Sequence, residues 1–89
     1  MSKKLGDIAE DKACRYLIQH GYEVVDRNYH SRVGEIDIVA KKGGHYHFFE
    51  VKSNKNYDPL YNITPKKLQK IIKTVNIYLK EKNITLLIA

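Results

Sequence analysis

The pair Gly43-Gly44 stands between two segments of alternating polarity: Gly34-Glu35-Ile36-Asp37-Ile38-Val39-Ala40 before it and His47-Phe48-Phe49-Glu50-Val51-Lys52 after it. Two adjacent glycines both accept positive φ, which is what a two-residue hairpin turn demands. Such a turn dictates register: opposed residues have numbers summing to 87, setting Asp37 against Glu50 and Glu35 against Lys52. The strands then run roughly 34–42 and 45–53. Ile36, Ile38 and Ala40 share one face with Phe49 and Val51, while Glu35, Asp37, Glu50 and Lys52 share the other. A one-residue slip would turn each set over. Like charges directly opposed destabilise an antiparallel pair, so the Asp37–Glu50 confrontation costs stability. A bound cation is the simplest reason to keep it.

The flanking segments supply the remaining elements. Ala9, Ala13 and Leu17 repeat every four residues, with Leu5 extending the stripe, so residues 3–20 read as a helix stopped by Gly21 at C′. Glu10 stands three residues before Ala13 and seven before Leu17, at the border of the buried face, where a carboxylate needs a partner. Residues 22–29 form a first strand, and His30-Ser31-Arg32 a basic loop into the hairpin. Residues 54–62 form a polar loop containing Pro59, Lys55, Tyr57 and Tyr61. A second helix begins with Thr64 as N-cap and Pro65 at N1, Ile63 stapling to Leu68. Leu68, Ile71, Ile72, Val75 and Leu79 make its apolar stripe, and Lys66, Lys67, Lys70 and Lys73 decorate the rest. Ile84-Thr85-Leu86-Leu87-Ile88 reads as a final buried strand that ends at Ala89 without a polar tail, the pattern of a domain shortened at its C-terminus. The order is α-β-β-β-α-β, an α/β domain spanning 1–89, and a helical crossover makes the last pairing parallel. The expected result is a small mixed sheet flanked by helices.

Composition narrows the setting. At 89 residues the chain is one small domain. A single cysteine, Cys14, excludes an internal disulfide framework and fits a reducing compartment. No secretory signal and no membrane-length apolar run is visible, so a cytoplasmic protein without a membrane partner is expected. Sixteen Lys/Arg against ten Asp/Glu give a net charge of +6, which favours polyanions, nucleic acid first.

An acidic pair inside a basic body suits a site that holds both metal and phosphate. Glu10, Asp37 and Glu50 can converge with Lys52, and the Val51 carbonyl offers a further hard oxygen. Oxygen donors in this number suit Mg²⁺ or Mn²⁺. Lys52 lies on the same strand face as Glu50, from where it can orient a water or stabilise charge on a phosphate. The bland alternatives are a Glu35–Lys52 ion pair, a solvated acidic face and a surface Glu10, each the better reading taken singly. His20, His30, His45 and His47 lack a metal-site spacing, Cys14 has no CxxC partner, and no helix follows Gly43-Gly44 to make a phosphate loop.

Gly6-Asp7-Ile8-Ala9-Glu10, Gly21-Tyr22, Arg27-Asn28-Tyr29, Gly34-Glu35-Ile36-Asp37-Ile38-Val39 and Phe49-Glu50-Val51-Lys52 together resemble the pattern of the YraN-like family of uncharacterised bacterial proteins. Thr64, Lys67, Lys70 and Tyr78-Leu79 extend the resemblance into the second helix. It implies a restriction endonuclease-like fold, similar to archaeal Holliday-junction resolvases. By that analogy Glu10, Asp37 and Glu50 are metal ligands and Lys52 is the catalytic lysine. Two departures stand out: a shortened C-terminus, and Ser53-Asn54-Lys55 where an arginine often follows. The expectation is therefore a metal-dependent nuclease-like protein that hydrolyses DNA at branched or single-stranded structures in repair or recombination. Arg32, Lys55, Lys66, Lys67 and Lys70 would hold the backbone. RNA is the alternative polymer, and junction-resolving relatives imply a homodimer. A non-catalytic nucleic-acid-binding module on the same fold is the second reading, and an interaction protein the third.

Overall fold

The structure, a computed structural model, describes residues 5–51 and 64–85. Their elements run α1 (Leu5–Gln19), β1 (Glu23–His30), β2 (Glu35–Lys42), β3 (His45–Phe49) and α2 (Pro65–Glu81). This is the expected α/β order as far as α2. Ile84 and Thr85 are not in a strand, and residues 86–88 of the expected last strand lie outside the described residues, as does its parallel pairing.

Both helices end by the same device. After α1 the Tyr22 N–H donates to the Leu17 carbonyl (2.9 Å) and the Gly21 N–H to that of Ile18 (3.1 Å). After α2 the Ile84 N–H donates to the Leu79 carbonyl (2.8 Å) and the Asn83 N–H to that of Lys80 (3.2 Å). These are Schellman caps, which need a left-handed residue at C′. Gly21 supplies it at φ 87° and Asn83 at φ 54°. At the start of α2, Thr64 accepts the Lys67 N–H on its hydroxyl at 3.2 Å and Pro65 follows, as the sequence indicates.

Among the described residues the sheet is antiparallel, in the order β1-β2-β3. Gly43 and Gly44 have φ 58° and 80°, and Ile38 faces Phe49, Ala40 faces His47 and Lys42 faces His45. The hairpin register is the expected one over these pairs, but β3 ends at Phe49, and Glu50 and Val51 are not in the strand expected to run to residue 53. β2 is the central strand and is covered on both faces, so Ile38, Val39 and Ala40 are all fully buried. A strand buried on both faces reads as a continuous apolar run rather than an alternation. On the α1 side Ile38 and Ala40 pack with Cys14, Leu17, Val24 and Phe49. On the α2 side Val39 packs with Tyr78, Phe48 and Val75, and Ile36 joins this second group.

Placing Ile36 with Ile38 and Ala40 was therefore wrong. Its partner in β1 is Tyr29, while Ile38 is opposite Arg27, and between them Asn28 takes φ 53°. A left-handed residue inside a strand breaks the two-residue alternation of β1, so Tyr29 turns to the α2 side, where Ile36 packs too. A bulge between Val24 and Asp26 has already shifted the phase of β1 once. The apolar stripe of α2 also differs from the expected one. Leu68 and Ile72 are exposed, whereas Thr74 and Tyr78 are buried with Ile71, Val75 and Leu79 partly covered. Apolar spacing alone misses a threonine whose hydroxyl is satisfied by its own helix: Thr74 Oγ1 donates to the Lys70 carbonyl at 2.7 Å.

Thr74 is also where α2 meets the β1–β2 loop. A Cβ on Gly34 would lie 3.0 Å from Thr74 Oγ1. Gly34→Ala should therefore cost about 1–2 kcal/mol by overpacking, read as a lowered urea midpoint. Adding Thr74→Ala should cost less than the sum of the two single changes, because it removes the atom in the way.

Candidate functional site

The end of the hairpin is held by a side chain. Asp37 Oδ2 accepts the backbone N–H of Val51 at 2.7 Å, just beyond the last residue of β3. The carboxylate of a central strand thereby captures the chain as it leaves the sheet, and its own orientation is set in return. Glu50, one residue earlier, is exposed and follows the last paired residue of β3, Phe49, which faces Ile38. Glu35, on the same strand as Asp37, faces His30, with Nδ1 at 3.2 Å from its carboxylate. Lys52, its expected partner, lies outside the described residues, as does Lys55.

Glu10 has a partner that the sequence did not identify. It is buried, and Arg27 Nε donates to its Oε1 at 3.0 Å while Arg27 Nη2 donates to Asp11 at 2.7 Å. The hydrogen bond donated to Asp11, then that donated to Glu10, hold the guanidinium charge more firmly than usual against the opposing effect of burial. The signal was present in part: a carboxylate on the buried stripe of α1 demands a cation. Which cation depended on the bulge in β1. Among the described residues no three His, Cys, Asp or Glu side chains gather into a metal-holding group. Asp37 is engaged with the Val51 N–H, and Glu10 is committed to Arg27.

Burial pushes the Cys14 thiol up, with a smaller opposing effect from Arg27, so it stays protonated as a packed thiol. The histidines stay apart as ligands: His20 stacks on Tyr16 with ring centroids 4.0 Å apart, and His47 lies 5.2 Å from the Tyr22 ring.

Of the described cations expected to hold phosphate, Lys67 and Lys70 line the cleft between the hairpin end and α2. Glu35, Glu50, Lys67 and Lys70 line it together with Gly34 and Thr74. Lys66, Lys67 and Lys70 also line a depression at the N-cap of α2 beside Thr64. Arg32 is exposed in the β1–β2 loop, beside the C-terminal half of α2. A concave surface with two carboxylates on one wall and two lysines on the other can receive a phosphate together with a hard cation. The oxygens of Glu35 and Glu50 are of the type such a cation takes, and Asp37 is not among the residues that line this cleft.

Among the described residues no helix is long and apolar enough to cross a membrane. A family model described as "Uncharacterised protein family UPF0102" matches residues 9–88. A UPF0102 protein of Wolinella succinogenes is 52% identical over 85 residues, which is 96% of this chain and 79% of that protein. One from Helicobacter pylori strain HPAG1 is 55% identical over 75 residues, 84% of this chain and 66% of that protein. One from Helicobacter hepaticus is 46% identical over 84 residues, 94% of this chain and 76% of that protein. The similarity covers α1, the whole hairpin and α2, and with it every carboxylate and described lysine of the cleft. The chain belongs to the UPF0102, or YraN-like, family.

Proposed function

We propose that this protein is a metal-dependent nuclease-like protein acting on phosphodiester bonds of DNA, branched or single-stranded DNA being its substrate. The observation that supports the reading is the Asp37–Val51 hydrogen bond of 2.7 Å, which ties the Asp37 carboxylate to the backbone one residue after Glu50. Asp37, Glu50 and the Val51 carbonyl are the donors that would hold Mg²⁺ or Mn²⁺. The cation, when bound, would supply Lewis acidity at the scissile phosphate. Lys52 is the group that stabilises negative charge growing on that phosphate. Lys67 and Lys70 hold the backbone from the opposite wall, with Lys66, Arg32 and Lys55 contributing charge around it.

A second reading is a nucleic-acid-binding module without catalysis. It is favoured by one observation: Glu10, the expected third ligand, is bound to Arg27. Two carboxylates and a carbonyl hold a cation more weakly than three carboxylates would.

Asp37→Asn separates the two. It keeps an oxygen to accept the Val51 N–H and removes the charge. With a Kd near 1 mM, 10 mM Mg²⁺ or Mn²⁺ should stabilise the parent by about 1.4 kcal/mol, a Tm rise of several degrees. Asp37→Asn should show no rise. Parent protein should cleave flapped or four-way DNA, and Lys52→Ala should bind the same DNA without cutting it. If neither metal raises the parent's Tm and no substrate is cut while DNA still binds, the binding-module reading replaces the first.

A further inference from the structure

We infer that α2 carries a second phosphate-binding cluster at its far end, joined to the cleft by a row of lysines along one flank of the helix, so that a nucleic-acid strand lies along α2. The inference rests on the reading of the cleft as a nucleic-acid site and gives that site a direction and a length.

The sequence of α2 contains five lysines and one glutamate, Glu81. Lys66, Lys70, Lys73 and Lys80 are spaced four, three and seven residues apart, a single face of a helix, and all four are exposed. Ile77 belongs to the same row and faces the β1–β2 loop, where it lines a surface depression of about 480 Å³ with Lys80, Arg32 and His30. At the other end Lys70 lines the cleft with Glu35 and Glu50. The contact of Gly34 with Thr74 seats the loop against the helix between the two depressions. The row spans fourteen residues, about 21 Å at 1.5 Å per residue.

A solvated helix flank normally mixes charges, with Glu and Lys four apart supporting each other. Here Lys66–Lys70 and Lys70–Lys73 are like-charge neighbours, each costing about 0.2–0.5 kcal/mol. A polyanion laid along the row offsets that repulsion. Two carboxylates on this side have protein partners of their own, Glu35 with His30 and Glu81 with the Tyr29 hydroxyl, which lessens their repulsion of phosphate. The five cations are Arg32, Lys66, Lys70, Lys73 and Lys80. Each neutralised phosphate contributes about 0.7 to the salt slope on a single strand and about 0.9 on a duplex.

The test is fluorescence anisotropy with a labelled single strand and a labelled duplex in EDTA, titrated across salt concentrations. The triple variant Arg32→Gln, Lys73→Gln, Lys80→Gln removes three charges from the far end. A control, Lys12→Gln, Arg15→Gln, Lys42→Gln, removes three from α1 and the hairpin tip. The far-end variant should flatten the slope by about 2 and weaken binding at least tenfold at 0.1 M salt. The control should keep the parent slope, and both should keep the parent Tm. Equal flattening in both variants, or none in either, overturns the inference. EDTA removes metal from the measurement, so a failure of the nuclease reading appears only in the metal and cleavage assays. A failure of the α2 track appears only here.

Discussion

Tyr78→Ala is expected to cost about 3–5 kcal/mol, the range for removing a buried aromatic side chain. For an 89-residue domain whose whole stability is of order 4–13 kcal/mol, that is enough to undock α2. Tyr78 is 2% exposed and stands at the centre of the α2-side core. Its ring meets Tyr29 edge-on at 4.9 Å and Phe48 at 5.8 Å, and its hydroxyl donates to Asp26 at 2.7 Å. One residue thus joins α2 to all three strands. Loss of near-ultraviolet circular dichroism and a lowered urea midpoint would report the change, while α1 and its cluster keep their own contacts. Tyr78→Phe isolates the hydroxyl and should cost about 1–2 kcal/mol.

The same contacts make stability fall in alkali. Burial first, then the hydrogen bond to Asp26, raises the Tyr78 phenol. The bond to Glu81, then burial, pushes Tyr29 up to about 12 from 10.0. Both groups hold their protons more tightly folded than unfolded. Their contribution is full below pH 10 and is lost as pH rises through the folded values. Tyr78→Phe should flatten the loss of stability above pH 10, measured by urea denaturation across pH.

Arg27→Ala should cost about 2–3 kcal/mol at neutral pH. Removing one partner of a buried pair strands the other charge, and the Glu10 side chain is only 7% exposed. The figure is set below the range for fully buried pairs because the Arg27 side chain is 39% exposed and water screens part of the interaction. Adding Glu10→Gln to Arg27→Ala should recover much of the loss, since a neutral amide is cheaper to leave in that position. If the double variant is as unstable as Arg27→Ala, the packing of the Arg27 stem rather than its charge holds α1 to β1. Chemical denaturation of the parent and the two variants decides this.

Much of this fold was legible along the chain because the deciding interactions are local. Gly43-Gly44 dictates the turn, and the turn dictates the register from Lys42–His45 to Ile38–Phe49. Gly21, Thr64 and Pro65 mark helix ends because caps are made within a few residues. Glu10 on the buried stripe of α1 announced the need for a partner. Other features had no local signal. Asn28 and the bulge at Val25 change which side of the sheet β1 addresses, so Ile36 packs with Tyr78 and Arg27 reaches Glu10. Thr74 and Tyr78 are the buried face of α2 because Gly34 and Asp26 lie opposite them, and Leu68 and Ile72 are left outside. Alternation and helical period state which residues share a face; the surface that covers that face is chosen by chain segments far away in sequence. The Gly43-Gly44 turn and the hairpin register beside it thus follow from residue order alone. The tie between Glu10 and Arg27, and the lysine row facing the β1–β2 loop, exist only once the helices are laid against the sheet.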